Sequence, residues 1–387
     1  MTSRELVLIG NFLPDRQESM LRFSQLLSDG LQARGWNVQV WRPAPRFANL
    51  AGPYRYGGVP KYLGYLDKFF TFPRTIRRLA RKAPSHTAYH IVDHSNAVYV
   101  RSLRDHHVIV TCHDLLQVRS ALGEFPQNRV SGSGQKYQRW ILNSLKVAPK
   151  IVCISGKTKK DLTRLTGLSD AKTPVIYMGL NYPYTPMPTA EATATLRACL
   201  ERQGKSWSEI ATLPQGFLVG IGGAHWYKNR AGLLATFAAL QKQPGAPTRL
   251  VYIGPAFEEE HLAILRQANL ENAIIRLTGV SNEELRAIYS LGRALLFPSW
   301  EEGFGWPIAE AQACGCPVFT SNREPMTEIG GAAAAYIDPS DPEKSAEVMT
   351  RAWPDADRMR TEGLRQASLW STERMLEEYE RVYETRS

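Results

Sequence analysis

Residues 297–317 combine two acidic side chains with a glycine-rich turn. Glu302 opens the turn at 303–305, seven residues separate it from Glu310, and Pro307 suits the first position of a helix. Backbone N–H groups at a helix start favour an anion such as phosphate, and carboxylates in the turn and in the first helical turn can accept hydrogen bonds from sugar hydroxyls. The pattern predicts a site for a phosphate-bearing sugar, although an acid such as Glu310 also occurs near helix starts for its interaction with the helix dipole.

A second segment could supply positive charge for the same ligand. In residues 220–230 a strand ends at Gly222 and Gly223, Lys228 follows, and Asn229 is suited to cap a helix. Lysine is a compact charge that binds phosphate well, and the glycines beside it allow close approach of a ligand. We therefore predict that Lys228 binds phosphate.

Polar side chains also follow short apolar runs in the first half of the chain. The run 108–111 leads to His113 and Asp114, at the end of a strand where parallel sheets bind ligands, although a buried structural histidine is the alternative. Weaker signals at other strand exits are Gly10, Asn11 and His94. The segment 93–96 could line a pocket or cap a helix, and capping is slightly favoured.

Two series of alternating strands and helices would position these residues. The predicted strands are 5–10, 38–41, 90–92, 108–111 and 151–154 in the first series, and 217–221, 249–253, 274–277, 294–297 and 318–320 in the second. Such alternation indicates an α/β fold of two tandem, doubly wound Rossmann-like domains with parallel sheets. A proline-rich linker at 182–188 divides the chain into domains at 1–185 and 186–370, and periodicity does not decide which of them packs against an amphipathic helix within 371–387.

The charge is concentrated in the first half of the chain. The net charge is +10, yet residues 1–190 contain 27 Lys and Arg against 11 Asp and Glu, whereas the remainder contains 20 against 26. An anionic partner is therefore expected for the first half, with solvated surface charge as the alternative. The segment 68–82 mixes phenylalanines with Lys and Arg, which suits either an anionic membrane surface or a core helix with a basic outer face.

Cysteine usage and hydropathy predict a cytoplasmic protein, and peripheral attachment at the inner face of a membrane is left open. The five cysteines are odd in number and lack zinc-ligand spacing, which suits reduced thiols. We find neither a signal peptide nor an apolar run of membrane-spanning length in the sequence.

The contiguous stretch E-G-F-G-W-P-I-A-E-A at 302–311 resembles the retaining family 4 glycosyltransferases of the GT-B fold. This resemblance implies transfer of a hexose, such as mannose or glucose, from a nucleotide diphosphate sugar to a lipid-linked or polysaccharide acceptor. It implies retention of configuration and no metal or cofactor, with UDP, GDP and ADP donors left undetermined. The two parallel sheets would face each other across a cleft, with the acceptor bound by the domain at 1–185 and the nucleotide sugar by the domain at 186–370.

The resemblance also suggests roles for individual residues. Glu302, His113 and Lys228 would be catalytic. Donor contacts would come from Gly303, Phe304, Gly305, Glu310, Lys228, Gly222, Gly223, Arg276, Leu277 and Gly10, and acceptor contacts from Asp114, Asn11 and His94. Many family members have an arginine shortly before the lysine, where this chain has glycine and alanine, so His225, Arg230 or Arg276 would have to replace that charge.

Two other classes of function fit parts of the same pattern. A GT-B nucleotide-sugar epimerase would use the same donor site without an acceptor, whereas a phosphorylase would need a cofactor-binding lysine motif that we do not find in the sequence. A nucleic-acid-binding protein would use the basic first half and would show steeply salt-dependent affinity.

Overall fold

The computed structural model describes residues 4–51, 58–211 and 216–385, which form two compact units. One unit comprises Met1–Asn181 and Thr372–Ser387, and the other comprises Tyr182–Ser371. None of the helices in these described ranges combines the length and apolar character needed to cross a bilayer.

The first unit is built on a five-stranded parallel sheet with strand order β2-β1-β3-β4-β5. Its elements up to Asn181 include β1 (Arg4–Ile9), α1 (Glu18–Ala33), β2 (Trp36–Trp41), α2 (Gly58–Leu66), a π-helical turn (Asp67–Thr71), α3 (Phe72–Ala80), β3 (Ala88–Ile91), a 3-10 segment (His94–Ser102), β4 (His107–Cys112), α4 (Leu116–Ala121), α5 (Gly132–Leu145), β5 (Lys150–Cys153) and α6 (Gly156–Thr166). All five strands predicted for this half are confirmed to within two residues at either end, because short runs of buried apolar residues mark each of them.

One face of this sheet is covered by α3, the 3-10 segment and α5, and we call it the α3/α5 face. Side chains from these three elements join strand residues in a single buried hydrophobic cluster. Among its members are Ile76, Ala80, Tyr99, Leu103, Ile141, Leu145, Val108 and Ile151. The outer surfaces of these helices therefore belong to one side of the unit.

The second unit has a six-stranded parallel sheet with strand order β11-β10-β9-β6-β7-β8. Its elements include α7 (Thr189–Arg202), α8 (Ser208–Ala211), β6 (Leu218–Ile221), α9 (Arg230–Leu240), β7 (Leu250–Ile253), α10 (Glu259–Gln267), β8 (Ile274–Leu277), α11 (Asn282–Leu291), β9 (Ala294–Phe297), α12 (Trp306–Ala313), β10 (Val318–Ser321), α13 (Met326–Gly330), β11 (Ala334–Ile337), α14 (Pro342–Ala352) and α15 (Ala356–Ala367). The predicted strands are confirmed, but β11 was not predicted, because its alanine-rich, half-buried sequence lacks the strong apolar signal of an inner strand. Counted from β6, the strand order is that of a doubly wound nucleotide-binding sheet.

Residues 182–188, predicted to be a linker, contain no helix or strand and lie along α11 of the second unit. The Tyr182 hydroxyl donates to Glu283 over 2.5 Å, and the Met187 N–H donates to the Ser290 hydroxyl over 3.0 Å. The proline-rich segment therefore packs along α11, because its backbone and tyrosine groups form hydrogen bonds with side chains of that helix.

The C-terminal helix α16 (Thr372–Glu384) packs on the first unit. Tyr379 and Tyr383 are fully or almost fully buried and meet two polar strand residues on the sheet face opposite the α3/α5 face. His90 Nδ1 lies 2.8 Å from the Tyr383 hydroxyl and Nε2 lies 2.7 Å from Thr111 Oγ1, which is 2.8 Å from the Tyr379 hydroxyl. This buried network fixes α16 in place, because each group would otherwise lose its hydrogen bonds away from water.

The buried His90 should make the first unit less stable in acid. Burial, with a smaller contribution from the neighbouring His113, lowers the pKa of His90 to about 3. In the unfolded chain His90 binds a proton near pH 6.5, whereas in the folded chain it does not. The contribution of His90 to stability is therefore fully present above pH 6.5 and is lost as the pH falls towards 3. We expect a loss of about 2 kcal/mol from this residue between about pH 7.5 and pH 5.

Hydrogen exchange of the β3 and β4 amides, corrected for intrinsic rates, would measure this loss. The His90→Gln variant should be less stable at neutral pH but should lose about 2 kcal/mol less on acidification. If stability fell with pH equally in the wild-type protein and in the His90→Gln variant, His90 would not be the group responsible.

Candidate functional site

Lys228 and Glu302 meet at the point where the strand order of the second sheet reverses. Lys228 follows β6 and Glu302 follows β9, the neighbouring strand, and such a reversal is where doubly wound sheets bind ligands at their carboxyl ends. Lys228 Nζ donates to both carboxylate oxygens of Glu302, at 2.7 and 3.0 Å. Only 8% of the Glu302 side chain and 17% of the Lys228 side chain are exposed, so the pair is largely shielded from water.

Asn229 holds the turn that carries Lys228. It has a left-handed backbone with φ of 49°, which asparagine tolerates, and its side-chain oxygen accepts from the Gly232 N–H as the predicted helix cap. Its side-chain nitrogen donates to the carbonyl oxygen of Pro298 at 2.9 Å, just beyond β9. Asn229 therefore ties the Lys228 turn to the strand that leads to Glu302, a role that the sequence did not reveal.

The glycine turn begins α12 as expected, with two differences in detail. Gly305 has φ of 103°, which a residue with a side chain rarely adopts, and the helix begins at Trp306, so Pro307 is the second residue rather than the first. The side chain of Phe304 is buried against Trp370, with ring centroids 5.7 Å apart, which leaves its backbone as the part suited to contact a ligand.

Glu310 lies in the second turn of α12, not in the first, because the helix begins at Trp306. It is buried, and the Tyr289 hydroxyl donates to it over 3.3 Å. Burial raises the pKa of Tyr289 well above its usual value, with a further contribution from Glu310, so this tyrosine stays protonated and remains a donor. A carboxylate held in this way can still accept further hydrogen bonds from a ligand.

The residues considered as replacements for a second cation differ sharply in their surroundings. Arg230 is buried, donates to the Ala256 carbonyl and pairs with Glu258, each at 2.8 Å. His225 and Arg276 are exposed, so both side chains are accessible to a ligand. Arg230 is therefore occupied in a structural ion pair, which leaves His225 and Arg276 as the candidates.

The other donor-site residues are placed as follows. Leu277 is fully buried, and its carbonyl accepts from the Gly254 N–H at 3.1 Å. The Gly222 carbonyl accepts from the Tyr252 hydroxyl at 2.8 Å, and a side chain at Gly223 would meet His225 at an ordinary contact distance. Gly222 thus lies beside Lys228 in a turn that is held by the hydrogen bond from Tyr252.

Arg323, which sequence reasoning missed, lies at the same carboxyl edge of the second sheet. It follows β10, the neighbour of β9, and its guanidinium carbon is 4.9 Å from the ring centroid of Trp300. Arg323 and Trp300 both lie in predicted loops, but only the order of the strands shows that the two side chains are in contact.

In the first unit, polar residues gather where the strand order reverses between β1 and β3. The Asn11 side chain donates to Asp93 over 2.5 Å and also to Gln17. Asp93 caps the 3-10 segment by accepting from the Ser95 N–H, which confirms the capping interpretation of this segment. Neighbouring His94 has its Nδ1 3.4 Å from Asp93.

Electrostatics keep Asp93 ionised at this edge. Burial alone would raise the pKa of Asp93, but His94, His113 and the hydrogen bonds from Ser95 outweigh it and hold this pKa below its usual value. The site thus presents a buried carboxylate beside Asn11 and two histidines, a set of groups suited to bind hydroxyls.

His113 and Asp114 occupy the predicted end of β4. Burial lowers the pKa of His113 despite the nearby Asp93, so the ring is neutral at pH 7. Its Nε2–H donates to the Val92 carbonyl at 2.8 Å, which makes Nδ1 the basic nitrogen. Asp114 accepts from the Leu116 N–H at 2.9 Å and is half-buried.

Gly10 lies next to this edge, and its backbone N–H is hydrogen-bonded to a neighbouring strand. Its N–H donates to the Trp41 carbonyl at 2.9 Å, and a side chain at this position would press on Arg42. Its backbone amide is therefore not directed to a phosphate in this structure.

Two family models match separate parts of the chain. One, described as Glycosyltransferase Family 4, matches residues 22–182, and the other, described as Glycosyl transferases group 1, matches residues 216–355. The two matches correspond to the two compact units.

Curated and solved proteins show the same likeness. The O-antigen chain mannosyltransferase B of Escherichia coli is 27% identical over 270 residues, which cover 68% of this chain and 67% of that protein. The serotype-specific mannosyltransferase WbdA of Escherichia coli is 29% identical over 155 residues, which cover 39% of this chain and only 19% of that longer protein. A sucrose-phosphate synthase structure from Thermosynechococcus elongatus shares the fold, with a TM-score of 0.72, 19% identity and 98% of both chains covered.

Proposed function

Because the chain belongs to the family 4, or group 1, glycosyltransferases and so transfers a hexose from a nucleotide sugar, we propose that it transfers mannose to a polysaccharide or lipid-linked acceptor. The choice of mannose is supported by the two mannosyltransferases among its relatives. The observation that carries the proposal is the Lys228–Glu302 pair at the switch point of the second sheet.

In the proposed mechanism Lys228 binds the diphosphate of the donor. When the diphosphate binds, Lys228 must donate to it in addition to Glu302 or instead of Glu302. The Glu302 carboxylate can then accept hydrogen bonds from sugar hydroxyls. As the bond to the sugar breaks, negative charge grows on the leaving diphosphate, where Lys228 and the backbone of the 303–305 turn stabilise it. Glu310, buried in the second turn of α12, would hold the ribose.

The acceptor would bind to the carboxyl edge of the first sheet. Asn11, His94 and Asp114 provide donors and acceptors for its hydroxyls, and neutral His113 offers Nδ1 as an acceptor. We propose that the anomeric configuration is retained, with the leaving phosphate taking the proton from the acceptor hydroxyl. We also propose that the reaction needs no metal ion, because Lys228 supplies positive charge and the exposed His225 or Arg276 supplies a second hydrogen-bond donor.

We further propose that the enzyme works at the inner surface of a membrane and docks through residues 68–82. Lys68 and Phe72 of this segment are buried, and Lys68 pairs with Asp15 at 2.8 Å, so these two do not take part. Phe70 is 54% exposed, and the remaining basic residues of the segment are exposed and can reach anionic headgroups; they are Arg74, Arg77, Arg78, Arg81 and Lys82.

A thermal-shift screen tests the donor site. One nucleoside diphosphate, among those of uridine, guanosine and adenosine, should raise the melting temperature by several degrees, since ligand at 100 times its Kd adds about 2.7 kcal/mol. The corresponding sugar nucleotides should then be compared for release of diphosphate with and without a glycan acceptor.

The outcomes separate the functional classes. Acceptor-dependent release supports transfer, whereas a new sugar nucleotide formed without acceptor would identify an epimerase. Stabilisation by nucleic acid alone, with no response to any nucleoside diphosphate, would overturn the proposal.

A further inference from the structure

The positive charge of the first unit is concentrated on the α3/α5 face. The chain segments 68–82, 94–104 and 129–150, which include the three elements on this face, contain 13 Lys and Arg and no Asp or Glu. The acids that flank the first two segments are Asp67 and Asp93, which are both buried, and Asp105. Such a one-signed surface attracts a broad anionic partner rather than a single small ion.

A groove of about 320 Å³ opens on this face near the amino ends of β4 and β5. Its lining is mixed, with apolar walls and two arginines: Val100, Val108, Val147, Pro149, Arg101 and Arg104. Arg101 and Arg104 are exposed, and neither forms an ion pair within the ranges that the structure describes. Val147 is 56% exposed, so an apolar surface lies open beside two free guanidinium groups.

We propose that this groove binds the headgroup of an anionic phospholipid. Guanidinium groups match the oxygens of a phosphodiester, and the valine and proline walls suit the glycerol and the first carbons of the acyl chains. The surrounding cations on α3 and α5, including Arg78 and Lys146, would meet neighbouring headgroups. The inference rests on the membrane docking proposed above and adds a defined lipid site to it.

The position of the groove is compatible with catalysis. The groove is at the amino ends of the strands, whereas Asn11 and His113 are at the carboxyl ends of the same sheet. A bound phospholipid would therefore leave the acceptor edge open.

Binding of soluble, short-chain lipids tests the groove directly. Titration calorimetry of the full chain with dihexanoyl phosphatidylglycerol, below its micelle concentration, should show saturable binding, whereas dihexanoyl phosphatidylcholine and inorganic phosphate should bind at least tenfold more weakly. The double substitution Arg101→Gln with Arg104→Gln should weaken phosphatidylglycerol binding about tenfold or more. Val147→Asp should do the same by placing a negative charge at the rim.

A matched variant separates the groove from general electrostatics. Arg77→Gln with Arg78→Gln removes the same charge from the same face, so it should weaken flotation with phosphatidylglycerol vesicles but leave short-chain lipid binding within twofold. The proposed lipid site would be overturned if both double variants lost short-chain lipid binding equally, or if inorganic phosphate bound as tightly as dihexanoyl phosphatidylglycerol. Neither result would contradict membrane docking.

Two further outcomes bear on the proposal. Wild-type protein that fails to bind anionic vesicles would contradict membrane docking itself. Tighter binding to RNA or DNA than to vesicles, lost in both double variants, would assign this face to nucleic acid instead. Unchanged melting temperatures and nucleoside diphosphate responses would show that the variants remain folded.

Discussion

Glu302→Gln should lower hexosyl transfer by about 100-fold or more while the protein remains folded. Glutamine keeps the size of the side chain but removes the charge that positions Lys228 and that accepts hydrogen bonds from the donor sugar. Losing one preorganised polar contact at a reacting centre costs on the order of 100-fold to 1,000-fold in rate. Release of nucleoside diphosphate in the presence of acceptor would measure the effect.

Lys228→Met should lower transfer as strongly and should also destabilise the second unit. The Glu302 side chain is 8% exposed and would lose its charged partner, which costs about 3 kcal/mol or more. The double variant Lys228→Met with Glu302→Gln should recover most of that stability, because no buried charge is left alone, but should remain inactive. Urea unfolding of the four proteins gives the coupling energy of the pair.

The exposed pair Lys242 and Glu343 provides a matched control in the same unit. Their nitrogen and oxygen are also 2.7 Å apart, but the side chains are 68% and 63% exposed, so removing either should change stability by less than about 1 kcal/mol and leave activity unchanged. Near-normal turnover in both Lys228→Met and Glu302→Gln would refute the assignment of this site.

Ending the chain after Ser371 should prevent the first unit from folding. The truncation removes α16, whose Met375, Leu376, Tyr379 and Tyr383 are all at least 96% buried against that unit. It also leaves His90 and Thr111 without their tyrosine partners on an exposed apolar sheet face. We expect loss of soluble protein and rapid proteolysis within residues 4–181.

A graded variant keeps this prediction measurable. Leu376→Ala should cost about 2 to 5 kcal/mol, since it opens a cavity where the side chain meets α1 at Gly30. Ending the chain after Thr385 should have no such effect, because α16 ends at Glu384. A soluble chain ending at Ser371, with unchanged protection of β3 and β4 from exchange, would show that α16 is dispensable.

The sequence predicted local features well because they depend on neighbouring residues. Apolar runs marked all five strands of the first sheet, and the asparagine after Lys228 capped its helix as expected. The 302–311 stretch likewise indicated the family, because its glycines, proline and acids are contiguous in the chain.

Burial and partner choice were less accessible to such reasoning. Arg230 looked available as a cation but is occupied by Glu258, and the sequence did not reveal that the ring of Phe304 packs on Trp370. Lys68 looked like part of a basic surface but is buried with Asp15. In each case the partner is distant in the chain, so residue type alone could not identify it.

The sequence by itself determined the α/β class, most strand and helix positions and the family motif, all of which follow from short-range periodicity and contiguous residues. Only the tertiary structure decided which strands are neighbours, and so brought Lys228 to Glu302, 74 residues away, and Asn11 to Asp93, 82 residues away. It also decided that α16 packs on the first unit, because an amphipathic helix specifies that it must cover an apolar surface but not which one.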